Sequence, residues 1–150
     1  MTVVKRSARV PFSARQMFDL VNDIEAYPEF LGWCESSRVE SATAIEITAS
    51  IQVGVAGLRQ TFRTRNRLTA PAENAAGRID MALVSGPFKY LDGFWLFEHS
   101  DPGSRVFLEL DYELAFSPLK MIIAPIFEEI ARSQVSAFVD RAAEVYASAS

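Results

Sequence analysis

The chain has 150 residues, 49% of them hydrophobic and 23% charged, with a formal net charge of −4. A chain of that length predicts one domain with a substantial core, because at ~150 residues about 68–70% of the unfolded surface is buried. The composition excludes the disordered and fibrous classes, and the acidic balance excludes a dedicated DNA binder, which would carry a basic face.

In chain order, "TVVKRSARV" (2–10) is β-branched and loosely alternating, and Pro11 stops it, which predicts a strand. Ser13 and Gln16 have the spacing of a capping box, and Phe12 and Met17 that of a hydrophobic staple. Met17, Phe18, Val21 and Ile24 then recur at helical spacing. A helix is predicted from 13 to about 22, followed by a short second helix or turns through 24–31, limited by Pro28 and Gly32.

From 35 to 116 the period is two. A strand, a turn near Ser41–Thr43 and a second strand come first, with Ile45, Ile47, Ala49, Ile51 and Val53 on one face. "GVAG" (54–57) reads as a turn or bulge, and "LRQTFRTRNRL" (58–68) alternates again. After a loop at 70–77, "RIDMALV" (78–84) puts Ile79, Met81 and Leu83 on one side, and "SGPF" breaks it. "YLDGFWLFEHS" (90–100) and "RVFLELDYELAF" (105–116) are separated by "DPG"; the second strand aims Val106, Leu108, Leu110, Tyr112, Leu114 and Phe116 inward.

From Ser117 onward the pattern is helical. Ser117 and Pro118 read as N-cap and first helical residue, and Pro125 either kinks the helix or marks its start. Ile123, Phe127, Ile130, Gln134, Phe138 and Val145 share one face, with Ala131, Ala137 and Ala142 beside it. Short connections dictate antiparallel pairing. The apolar face of such a sheet needs a cover, and the C-terminal helix is the only large one. The predicted architecture is α+β: a curved antiparallel sheet wrapped around that helix, with a space between them widest near "NDIEAYPEFLGWC" (22–34).

The lone cysteine excludes an internal disulfide and a multi-cysteine metal site, and suits a reducing cytoplasm. The start "MTVVKRSARV" predicts no signal peptide. The longest apolar run, "MIIAPIF" (121–127), is far short of the ~20 residues of a membrane span. The expected location is the cytoplasm, with any lipid contact peripheral to the inner membrane or inside the protein.

"VNDIEAYPEFLGWC", "GLRQTF", "SGPFKYLDGFWLFE" and "APIFEEIARSQVSAFVDRAAEVY" together resemble the ubiquinone-binding START-like family, relatives of the polyketide cyclases that also include the bacterial ribosome-association toxins. The likeness runs over nearly the whole chain in matching order. It implies a helix-grip (START-like, Bet v 1-like) fold of about 6–7 strands with an apolar cavity, a ubiquinone-related role in respiration, and in some members an effect on ribosomal subunit association. The family usually has proline before the Trp–Cys pair, where this chain has Gly32.

Catalytic signatures are sparse. The single histidine, His99, stands at a strand end, and no Gly-x-Ser-x-Gly elbow, phosphate loop or metal-ligand spacing occurs. A Cys34–His99 pair competes with Cys34 as a small buried hydrophobe. Asp23 and Glu25 flank Ile24 at a helix end and read as a solvated pair. On strand 90–100 the Leu91, Gly93, Trp95, Phe97 face carries no charge and is assigned inward, leaving Phe94 and Leu96 outward as apolar surface for a partner or membrane. Gly93 leaves room for a ligand or permits a bend.

The candidate ligand wall comprises Tyr27, Phe30, Leu31 and Trp33; Phe62, Thr64 and Asn66; Met81, Leu83, Phe88, Leu91 and Trp95; Leu110 and Tyr112; and Phe127, Ile130, Gln134 and Phe138. Plain core packing explains the apolar members equally well. Thr64 and Asn66 are unexpected in a core, because an unpaired buried amide or hydroxyl costs ~1–3 kcal/mol. They either pair with each other or with water, or they hold a polar ligand head, with Tyr112 and Gln134 as further contacts. The other face of that strand carries Arg59, Arg63, Arg65 and Arg67, paired with acids such as Glu46 and Asp80 or touching rRNA or anionic headgroups.

Three functions stand: non-catalytic binding of ubiquinone or a similar isoprenoid lipid as a carrier, regulation by binding a ribosomal subunit, and cyclase or aromatase chemistry. No covalent cofactor, metal or DNA partner is expected.

Overall fold

The protein was analysed as a computed structural model that describes residues 2–55, 57–115, 117–118 and 120–146. Strand β1 spans Thr2–Val10 and ends at Pro11, as its sequence requires. Helix α1 (Ala14–Asn22) starts on the expected capping box: the Ser13 side chain accepts from the Gln16 N–H, and the Gln16 side chain accepts from the Ser13 N–H. It buries Met17, Phe18, Leu20 and Val21. A short 3₁₀ helix, α2 (Ile24–Glu29), follows and turns the chain at Pro28.

Six strands come next: β2 (Cys34–Ala42), β3 (Glu46–Val55), β4 (Leu58–Thr69), β5 (Gly77–Ser85), β6 (Phe88–Ser100) and β7 (Gly103–Leu114). They join β1 in one seven-stranded antiparallel sheet ordered β1-β7-β6-β5-β4-β3-β2. Irregular register within β2, at Arg63/Thr64 and at Phe88/Tyr90 bends it, because a bulge adds twist and curvature. Gly57, at φ +80°, lets the β3–β4 connection turn back tightly.

The long helix α3 (Lys120–Tyr146) buries Ile130, Ala131, Val135, Phe138 and Ala142. Val135, Phe138 and Ala142 join Phe18, Tyr27, Ile51, Ile79, Trp95, Phe97 and Leu108 in the main core. The helix-grip architecture is therefore present, with α1 and α2 at one end of the grip.

Three local expectations change, and the alternative left open at Pro125 is decided. The helix starts at Lys120, so Pro118 precedes it, and the Lys120 N–H bonds the Ser117 carbonyl in a turn. Pro125 lies inside the helix. Ile45 sits outside β3 and is 66% exposed, because the β2–β3 turn takes it before the alternation begins. Val145 is exposed on the last turn. Phe116 lies outside the described residues.

Candidate functional site

Alternation on the central strands decides what faces the helix. On β4, Thr64 and Asn66 point inward and are 6% and 7% exposed. Cross-strand partners frame them with apolar side chains: Ala49 and Leu83 flank Thr64, and Ile47 and Met81 flank Asn66. Trp95 faces inward on β6, stacked on Phe97 and edge-on to Phe138 of α3. Leu108 and Leu110 lie opposite on β7.

These residues enclose a cavity of about 100 Å³ between sheet and helix. Thirteen of the expected wall residues line it: Tyr27, Trp33, Phe62, Thr64, Asn66, Met81, Leu91, Trp95, Leu110, Phe127, Ile130, Gln134 and Phe138. Ile24, Ile51, Leu108 and Ala131 line it as well. Their strand or helix periodicity marked them as inward, but inward position alone does not separate cavity wall from packed core.

Five expected residues lie off the wall. Leu31, 2% exposed, is packed into the core. Phe30 stands edge-on to Tyr27 and Phe138 with the Arg141 guanidinium 5.0 Å above its ring. Leu83 packs in a second cluster with Phe88 and Tyr112. Tyr112 stacks edge-on with Phe88 and Phe127. Gly93 makes no room for a ligand: a Cβ there would meet the Glu109 carbonyl oxygen and Leu110 at 2.6 Å, so its role is close strand approach.

Phe88 instead lines a narrow apolar cleft beside the cavity, formed by Val53, Val55, Leu58, Pro87, Leu114, Ile123 and Ile126. Phe62, Phe127 and Ile130 line both spaces. The rings of Phe62, Phe88 and Phe127 meet edge-to-face at 4.9–6.5 Å and form the partition. The cleft opens beside the first turns of α3, where Met121 is 85% exposed and Ile122 54%.

The cavity wall carries no charged side chain. The Tyr27 hydroxyl donates to the Val21 carbonyl at 2.5 Å, and burial, reinforced by Cys34 and Asp23, pushes its pKa well above the ordinary value. Burial also pushes the Cys34 thiol up, and that thiol donates to the Ser36 carbonyl. His99 is exposed, 3.0 Å from Asp101, so it has no part in a pair with Cys34. Glu25 accepts from the Val39 N–H rather than standing free beside Asp23. Among the described residues no cluster of three or more His, Cys, Asp or Glu could hold a metal, and no helix is long and apolar enough to cross a membrane.

The outer face of β4 behaves differently. Arg59 pairs with Glu35 at 2.9 Å, Arg63 with Glu40 at 2.5 Å and Arg65 with Glu46 at 3.6 Å. Arg67 sits in register between Glu46 and Asp80. Phe94 and Leu96 face outward as expected, half-buried, with Arg78 4.0 Å over the Phe94 ring.

The family model for polyketide cyclase/dehydrase and lipid transport matches residues 10–139. The ribosome association toxin RatA of Escherichia coli K12 is 42% identical over 147 residues, covering 97% of this chain and 90% of that one. The mitochondrial coenzyme Q-binding protein COQ10 homolog B of Xenopus laevis is 27% identical over 139 residues, covering 90% of this chain and 55% of that one. Among solved structures, the Zhui aromatase/cyclase from Streptomyces sp. R1128 superposes with a TM-score of 0.79 at 14% identity, covering 97% of both chains, which is a likeness of fold alone. With its sheet, its gripping helix and the hollow between them, the chain belongs to the polyketide cyclase/dehydrase and lipid transport family.

Proposed function

We propose that the protein binds the ring of a lipophilic small molecule, ubiquinone or a close relative, and carries it without chemical change. The observation that carries this reading is the uncharged cavity lined by Thr64, Asn66 and Gln134, in which the Asn66 Oδ1 is buried without a hydrogen-bond partner. Buried polar side chains are normally paired. Unpaired ones on an apolar wall are suited to a ligand head. Tyr27, the wall's one acidic hydroxyl, is already committed to Val21 and held protonated, which leaves no general base in reach of a bound ring.

Size shapes the reading. Pockets for drug-sized ligands occupy about 300–1,000 Å³; this cavity is far smaller and takes a ring, not an isoprenoid tail. The tail would leave through the adjoining cleft, past Phe62, Phe88 and Phe127. The coenzyme Q-binding name of the Xenopus relative supports the ligand class.

The test is lipid extraction and native mass spectrometry of protein purified from its own host, beside a Thr64→Val/Asn66→Leu variant. A quinone that leaves with the wild type and is depleted in the variant supports the reading. A wild type without lipid, or equal loading of both proteins, overturns it.

A second reading is favoured by the RatA-named relatives: association with a ribosomal subunit. The arginine stripe would serve it only by exchanging carboxylate partners for phosphates. Reversing the charge of Arg63 and Arg65 should then abolish co-sedimentation with ribosomal subunits. Wild-type protein that fails to co-sediment removes this reading.

A further inference from the structure

The polar atoms of the cavity wall are few, and one of them is unpartnered. Asn66 is 93% buried by its 7% exposure, and its Oδ1 has no partner. Thr64, two residues away on the same face, is 94% buried by its 6% exposure and brings its hydroxyl to the same wall. Their sheet neighbours Ile47, Ala49, Met81 and Leu83 offer no side-chain donor or acceptor, and the strand's backbone groups are engaged in ladders with β3 and β5. Gln134 reaches the same space from α3.

A primary amide brings two N–H donors and one carbonyl acceptor, and a threonine hydroxyl one donor and two lone pairs. A quinone ring offers carbonyl and ether oxygens, which only accept. Such a ligand can satisfy the amide N–H groups and the Thr64 hydroxyl, but it leaves Oδ1 of Asn66 without a donor. A hydroquinone or phenol supplies an O–H to Oδ1, while the same oxygen accepts from Thr64 or Gln134. With Oδ1 at the unpartnered position, what the amide still needs is a donor.

We propose that the cavity selects the hydroxyl-bearing, reduced form of its ring ligand over the carbonyl form, with Asn66 as the specificity-determining residue and Thr64 as its partner. This rests on the reading that the cavity holds a ring. A site built to bond a hydroxyl rejects an analogue lacking it because a buried polar group is then left unpaired. The expected preference is about tenfold, the size of one unmatched buried hydrogen bond.

Both tryptophans of the chain, Trp33 and Trp95, line the cavity, so their fluorescence reports occupancy. Decyl-ubiquinone and decyl-ubiquinol would be titrated under argon into wild type, Asn66→Leu and Thr64→Val, with phenol and anisole as a redox-inert pair. Tighter binding of ubiquinol and of phenol by wild type, with the preference lost in Asn66→Leu and reduced in Thr64→Val, is the expected result. Equal affinity for both members of each pair in wild type overturns the proposal while the cavity reading stands. A preference that persists in folded Asn66→Leu also overturns it. If neither member of either pair binds, the cavity reading itself fails, and this proposal with it. The wild-type comparison needs no variant to fold.

Discussion

The two faces of β4 treat polar side chains in opposite ways. Outside, Arg59, Arg63 and Arg65 each meet a carboxylate, so a stripe of charge that looks like a docking surface is internally neutralised. Inside, Thr64 and Asn66 are nearly inaccessible among apolar neighbours, and the Asn66 Oδ1 has no hydrogen-bond partner. Charge at a surface is inexpensive and is paired wherever a neighbour allows, so it says little about function. An unpaired amide in an apolar interior costs stability with no structural return, which points to a ligand. On the proposed ligand reading, the two uncharged residues of the strand mark the site rather than its four arginines.

The largest test of this contrast is truncation of the wall opposite Asn66. Phe138, 2% exposed, packs edge-on against Tyr27, Phe30 and Trp95. Phe138→Ala should cost about 3–5 kcal/mol in urea unfolding, as for other buried phenylalanines. A cost below ~1 kcal/mol would show a wall too loose to shape a cavity.

Next comes a change of opposite sign. Thr64→Val/Asn66→Leu removes orphan polar atoms and should raise stability by about 1–2 kcal/mol, read as an upward shift in Tm. Destabilisation would mean that these side chains are paired in solution and would erase the contrast between the faces.

Tyr27→Phe deletes the bond to the Val21 carbonyl and should cost about 1 kcal/mol at neutral pH. It should also flatten the alkaline loss of stability. The folded state holds the Tyr27 proton above the ordinary pKa near 10, where the unfolded chain releases it; the unfolded state then binds fewer protons, so stability falls as pH rises past that value. Tyr112 and Tyr146, also raised, keep part of the slope in the variant. A slope unchanged by the substitution would show Tyr27 to be solvated.

The smallest effect is expected outside. Arg63→Ala should cost about 0.2–1 kcal/mol, less at high salt, because the pair with Glu40 is partly exposed. A larger, salt-independent loss would make the stripe structural rather than a solvated ladder.

Much of the fold was legible because local signals agreed with one another. Pro11, the Ser13–Gln16 box and the period-two runs each placed an element where it stands. The start of α3 was misread because Ser-Pro resembles a helix opening, whereas here it forms a turn before Lys120. Most of the cavity wall was legible too, since an inward residue on a central strand can only face the helix. Leu83, Phe88 and Tyr112 share that pattern and still lie off the wall, because alternation gives the face and not the depth along it.

The sequence by itself determined which residues face inward, that the sheet is antiparallel, and that Thr64 and Asn66 share the buried face, because these follow from spacing of two and of 3.6 along the chain. Only the tertiary structure decided that the interior stays hollow beside those two residues, that Gly93 serves strand approach, and that the arginines find glutamates on β2 and β3. Those outcomes depend on sheet curvature and on distances between residues far apart in sequence, and no local period encodes them.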